Sequence, residues 1–221
     1  FPTTYEDISN MKQILFLLLL IALFFSCLTK PANKRSTDKI IAPSTEYFPS
    51  SKDIDTSDKL DERNHPLISA AIFGNEEIVR SLLSSSTNPN VKSKDGSTPL
   101  IYASRNGYLP IVGMLLDAKA DPNIKNDDHK TALIWASFNG FPDILQVLIN
   151  AKANINHQDR MGATALMYAA SNGHIDSVKL LLQYKANLNL TDKFGGSALS
   201  EANQEGHAEI VSLLISAGAK Y

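Results

Sequence analysis

Leu67, Leu100, Leu133, Leu166 and Leu199 recur every 33 residues without slippage, and the residues around them repeat in the same register. A chain with such a period is an array of one small unit. Its role must then be read from the array's surface and address rather than from a single catalytic pocket.

Each unit divides into the same parts. In the second, DGSTPL opens a first helix that runs through Ala103 and Ser104 to Asn106 and is broken by Gly107; YLPIVGMLLDAKA supplies a second helix, and DPNIKND leads into the next turn. Ile111, Val112, Leu115 and Leu116 fall at helical spacing on one stripe. Helices this short cannot bury their stripes alone, so neighbouring units must complete the core. Gly74, Gly107, Gly140, Gly173 and Gly206 end the first helices, where a residue without a side chain enters the left-handed conformation at little cost. Pro110 and Pro142 fall near the starts of second helices, where a missing amide hydrogen matters little. Asn90, Asn123, Asn156 and Asn189 follow the second helices, and their short polar side chains suit loop backbone groups.

The segments DGSTPLIYASRNG, DRMGATALMYAASNGHIDSVKLLL and EGHAEIVSLLISAGA resemble ankyrin repeats. The resemblance covers five units over residues 63–221, the last ending shortly after its second helix. It implies an all-α repeat solenoid of stacked helix-turn-helix units with projecting β-hairpin-like loops, and a non-enzymatic role in binding another protein. Two departures have physical consequences. The family's TPLH histidine is replaced by Ile101, Ile134, Met167 and Ser200, which removes its usual bond to the threonine position, although Thr98, Thr131 and Thr164 can still cap the first helices. The glycine before the alanine column is Lys119, Lys152 and Lys185, and glycine returns only as Gly218. The ends are also specialised. Glu201, Asn203, Gln204 and Glu205 make the last first helix polar, as suits a cap facing water. Ile72 and Phe73 leave an apolar face at the other end, for which Ile54 and Leu60 are the covers in reach.

Little in the array suggests chemistry. His174 and His207 share a column at the start of second helices and are expected to cap or pack; His65 stands in the threonine column, and His129 and His157 fall near loops. No H-E-x-x-H or similar spacing joins them, and no G-x-x-x-x-G-K-[ST] occurs, so no metal or cofactor is expected. Asp159 and Asp192, three residues before Gly162 and Gly195, suit the capping of loop amides, as does Asn126. Tyr102, Trp135 and Tyr168 form an aromatic column inside the first helices, expected chiefly between units. By the resemblance, recognition falls to the hairpin tips and the ends of first helices. These map to Lys94, Asp95, Arg105 and Asn106 in the second unit and to Asp128, Lys130, Phe138 and Asn139 in the third. The fourth contributes Arg160 and Met161, and the fifth Lys193 and Phe194. Phe138, Met161 and Phe194 would be apolar anchors, with Arg105 and Arg160 available to pair with carboxylates.

From Asn64 onward the chain carries thirteen Lys or Arg against fourteen Asp or Glu, within a formal net charge of -2, so a nucleic-acid partner is not expected. The address lies in the first residues. Lys12 precedes twelve apolar residues, 14–25, followed by Ser26 and Cys27. That run is shorter than the roughly 20 residues of a membrane span but matches the apolar region of an export signal. Residues 11–27 are read as the signal, with Met11 its natural start, residues 1–10 as an upstream extension, and residues 28–62 as a polar, proline-broken tether. Cys27 is the chain's one cysteine, so no internal disulfide can form. LFFSC resembles the lipobox of bacterial lipoproteins, with Phe24 where Leu, Val or Ile is usual.

The resemblance implies lipidation of Cys27 and retention at a bacterial cell envelope, periplasmic or surface-exposed; the array itself is expected to be monomeric. A plainly cleaved signal and an uncleaved short anchor are the alternatives for this segment, and a secreted protein binding a host partner is the alternative function. An enzyme with a site not evident from sequence is a third reading. Because a left-handed lysine costs about 1 kcal/mol relative to glycine, Lys152→Gly should raise the thermal midpoint by about 2–4 °C; an unchanged or lower midpoint would mean that the loop has another backbone conformation.

Overall fold

The computed structural model describes residues 65–220. The signal, Cys27 and the tether lie outside the described residues, as do Ile54 and Leu60. Ten helices follow in pairs: α1 (Pro66–Phe73) with α2 (Glu76–Ser84), α3 (Pro99–Asn106) with α4 (Leu109–Asp117), and α5 (Ala132–Asn139) with α6 (Pro142–Asn150). The last two pairs are α7 (Ala165–Ser171) with α8 (Ile175–Gln183), and α9 (Ala198–Gln204) with α10 (Ala208–Ser216). No strand occurs among the described residues. First helices pack on first helices and second on second, so the five pairs stack as a two-layer solenoid. None of these helices is long and apolar enough to cross a membrane.

The core is the leucine register extended by its neighbours. All five period-setting leucines are 1% exposed or less, and Ile111, Val112 and Leu115 of α4 are fully buried beside them. Thr98, Thr131, Thr164 and Ser197 begin the first helices, each side chain accepting the backbone N–H three residues on. His65 does the same work for α1, its Nδ1 accepting from the Leu67 amide at 3.2 Å. At the other end of the units Lys119, Lys152 and Lys185 adopt φ of +68°, +69° and +60°, the left-handed conformation expected where glycine is missing; Ser86 does so too, at +60°. His129 is a further instance, at φ +59° in the hairpin position that Gly96, Gly162 and Gly195 occupy elsewhere.

Three kinds of contact join successive repeats. Asn90, Asn123 and Asn156 each accept, through Oδ1, the backbone N–H of Asp121, Asn154 and Asn187 in the following repeat, at 2.7–2.9 Å. The asparagine column therefore stitches units together rather than only closing its own loops. Hairpin tips are joined by backbone bonds in strict register, from Asp127 N–H to the Asp95 carbonyl, Arg160 to Asp128 and Lys193 to Met161, at 2.9–3.0 Å.

The third contact is a ring laid on a glycine. Tyr108, Phe141, His174 and His207, 33 residues apart, lie against Gly74, Gly107, Gly140 and Gly173 of the preceding repeat. These glycines end first helices with φ between +72° and +82°, so both backbone and packing require the absence of a side chain. The carbonyl two residues before each glycine is satisfied in one of two ways. In the first two interfaces Asn106 Nδ2 donates to the Ile72 carbonyl and Asn139 Nδ2 to the Arg105 carbonyl, both at 3.0 Å. In the last two the ring itself supplies the donor, His174 Nε2 to the Phe138 carbonyl and His207 Nε2 to the Ser171 carbonyl, also at 3.0 Å. Asn172, released from that task, turns its amide to the Tyr168 carbonyl of its own helix.

The ends differ as their sequence suggests. Asn203, Gln204 and Glu205 are exposed, and Phe73 is 41% exposed at the first repeat. Gly206 has the same left-handed backbone, φ +79°, but a Cβ added there would meet nothing within 4 Å. Comparing it with an interior glycine separates packing from backbone strain. At Gly140 an added Cβ would meet His174 Cε1 at 2.7 Å, so Gly140→Ala should destabilise by about 1–3 kcal/mol more than Gly206→Ala. Gly206→Ala should lose only the backbone part, about 1 kcal/mol. Urea unfolding of the two variants measures the difference, and equal losses would show that the ring contact contributes nothing.

Candidate functional site

The face bearing the hairpins and first helices is built outward from one polar column. In each hairpin the side chain of Ser93, Asn126, Asp159 or Asp192 sits at the base of the turn. Asp159 Oδ1 accepts the amides of Met161 and Ala163, both at 2.9 Å, and Asp192 Oδ1 those of Phe194 and Gly196 at 2.8 and 2.7 Å. Asn126 Oδ1 accepts from the Lys130 amide at 2.9 Å. The two aspartates thus act as turn anchors, and Asp159 Oδ2 is taken by the Tyr168 hydroxyl at 2.7 Å. His157, two residues before Asp159, directs Nε2 to the His129 carbonyl at 2.8 Å. Among the described residues no three His, Cys, Asp or Glu side chains are grouped to hold a metal ion.

On this frame stands a cluster of aromatic rings and cations. Trp135, 5% exposed, is edge-on to Phe138 with ring centroids 5.9 Å apart, and Phe138 is edge-on to Tyr168 at 5.6 Å. The Arg105 guanidinium lies 4.4 Å from the Trp135 ring centre. Lys130 Nζ is 4.9 Å from Trp135 and 5.0 Å from Tyr168, between the two rings. Burial among them pulls the Lys130 pKa below its usual range, against the opposing pull of Asp159 and Asp128, and Arg105 lowers it further. Tyr168 is shifted in the direction that keeps it protonated, by burial and by its bond to Asp159. The Trp135 Nε1–H is buried without an acceptor among the described residues.

The sequence-expected residues divide by what they touch. Lys94, Asp128, Arg160, Met161, Lys193 and Phe194 are exposed, Phe194 most of the apolar ones at 73% and Met161 at 43%. Arg160 reaches back to the preceding hairpin, bonding the Asp127 carbonyl and standing 4.0 Å from the Asp128 carboxylate. Asp95 is tied to its own hairpin by Ser93, Ser97 and Tyr102; burial resists its ionisation, but these donors outweigh it and hold its pKa below the ordinary carboxylate value. Phe138 is half-buried between two rings rather than freely displayed. Asn106 and Asn139 give their amides to carbonyls of the first helix in the preceding repeat, and Arg105, Lys130 and Phe138 are the ones brought together. Trp135 and Tyr168, expected mainly between units with partial display on the concave face, form the walls of this cluster. The signal was the 33-residue spacing of Arg105 and Phe138, which puts a cation and a ring at equivalent positions of adjacent helices.

In the last repeat Glu201 replaces the aromatic column. Burial, then the charges of Asp192 and Glu205, push its pKa above the usual value. Its raised folded value means that the stabilising form is the protonated one, fully present below the unfolded value of about 4.5 and lost as pH rises through the folded value. Glu201→Gln should therefore raise the thermal midpoint at pH 7 by about 1–2 °C, and the gain should vanish as pH falls below the ordinary glutamate range. A gain that persists at low pH would assign the effect to something other than charge.

A family model described as ankyrin repeats (3 copies) matches residues 41–126, 67–159 and 133–221, which together span most of the chain. No curated protein matches it. With the helix pairs, the left-handed turns and the register of hairpins in place, the chain belongs to the ankyrin-repeat family.

Proposed function

We propose that this array is a protein-binding module whose principal recognition surface is the face formed by the hairpin tips and the C-terminal ends of the first helices. Ankyrin repeats generally mediate protein–protein interaction and are typically non-catalytic. The observation that carries the assignment to this face is the cluster of Arg105, Lys130, Trp135, Phe138 and Tyr168, flanked by the exposed Met161 and Phe194. Large rings, methionine and arginine are the residue types that dominate binding energy at interfaces. Elsewhere, the ring-on-glycine contacts and the asparagine bonds hold one repeat to the next.

The address follows from sequence. A basic residue, a twelve-residue apolar run and Cys27 in LFFSC favour a lipid-anchored protein at a bacterial cell envelope, outside the cytoplasm, with residues 28–62 as tether. Extended, some 35 residues reach on the order of 50–100 Å from the anchor. More than one acyl chain would make that anchoring firm.

Crosslinking and pull-down from membranes should recover a partner with the intact chain and lose most of it with the Phe138→Ala, Met161→Ala, Phe194→Ala triple variant, checked for native circular dichroism. Equal recovery by a folded triple variant would rule out this face. In the same preparation Cys27→Ser should release the protein from the membrane fraction and remove acyl mass from it. Unchanged membrane partition and normal processing, with no acyl mass on the intact protein, would rule against lipidation.

A further inference from the structure

Across the three central first helices, α3, α5 and α7, Arg105 is the one charged residue. Lys130 joins it from the third hairpin, so the middle of the face carries two cations set against rings. The aromatic walls exclude water from one side of each. Trp135 lies under the guanidinium at 4.4 Å, and the ammonium sits about equally far, 4.9 and 5.0 Å, from Trp135 and Tyr168. A cation held this way keeps its attraction to the ring but surrenders part of its hydration, which a carboxylate can replace.

The acids nearby are already engaged. Asp159 holds two amides on one oxygen and the Tyr168 hydroxyl on the other. Asp128 lies out at the hairpin, 67% exposed, with Arg160 4.0 Å away. Both attract the Lys130 ammonium electrostatically. Resting on the reading of this face as a protein-binding surface, we propose that the Arg105–Lys130 cluster recognises carboxylate side chains of an acidic peptide segment in the partner. A guanidinium matches a carboxylate in planar, paired hydrogen bonds, and Phe138, Met161 and Phe194 offer apolar contact to the residues flanking it. An extended polyanion fits less well. Asp127 and Asp128 at the hairpin and Glu201 and Glu205 at the far end of the same face would repel it, and the array carries no net basic charge.

Trp135 is the chain's sole tryptophan, so its fluorescence reports on this cluster alone. The test uses the full chain, titrated with a twelve-residue peptide carrying two adjacent Glu flanked by Phe, Leu and neutral polar residues, and with the same peptide carrying Gln for both Glu. Saturable change in Trp135 emission with the Glu peptide is expected, weakening as salt is raised, with the Gln peptide at least about tenfold weaker. Lys130→Gln and Arg105→Gln should each weaken the Glu peptide by about tenfold. Equal binding of the two peptides, no response to either, or full binding by both variants overturns the proposal. Inorganic triphosphate or phosphatidylserine vesicles that compete as well as the Glu peptide would also overturn it, in favour of a general anion site. The peptide comparison on the unaltered protein stands even if a variant fails to fold. If the peptide fails while the triple alanine variant still loses its partner, the binding face survives and only the acidic ligand is rejected.

Discussion

The ring that each repeat lays on the glycine of the one before it is the contact on which the rest depends. Helices of seven to nine residues do not persist alone in water. They survive here because each interface buries leucines on one side and is locked on the other by Tyr108, Phe141, His174 or His207 against a left-handed glycine. The left-handed turn brings the second helix back against the first and at the same time clears the space into which the next ring fits. Backbone conformation and inter-repeat packing therefore impose the same requirement on the same residue.

That coincidence determines where recognition can reside. Hairpin backbones pair in register, and the turn aspartates hold the loop amides, so the tips are fixed relative to one another before any partner arrives. The first helices present their polar ends between these tips. Arg105 meets Trp135 across one repeat boundary and Phe138 meets Tyr168 across the next, because the frame holds equivalent helix ends in register. Pre-positioned side chains lose little conformational freedom on binding, which favours affinity without large movement.

What could be read from sequence was whatever a single repeat decides locally. Thr98, Thr131 and Thr164 were legible as caps, and Lys119 and Lys152 as left-handed residues, because each property belongs to a short stretch of backbone. What could not be read was set by the neighbour. The asparagine column was visible, but not that its acceptors reach 31 residues onward. Asn106 and Asn139 looked free for a partner because their targets, the Ile72 and Arg105 carbonyls, lie in another unit. The half-burial of Phe138 likewise depends on Tyr168, one repeat away. His174 and His207 were legible as a column that caps or packs, but its continuation into Tyr108 and Phe141 was not, since three chemistries share one position.

The donor that satisfies each helix-end carbonyl sits within two residues of the ring that covers the neighbouring glycine. Asn106 travels with Tyr108 and Asn139 with Phe141, while in His174 and His207 the two roles merge in one side chain. Every repeat thus carries its own complete plug for whatever socket precedes it. Excising residues 109–141 would leave Tyr108 seated on Gly74 and bring His174 onto Gly107, with each exposed carbonyl again facing a donor. A gene encoding such units can gain or lose whole modules of 33 residues and still yield a matched stack, whereas an insertion of one residue puts plug and socket out of phase. The length of the array is in that sense quantised, and the binding face is lengthened or shortened in the same steps.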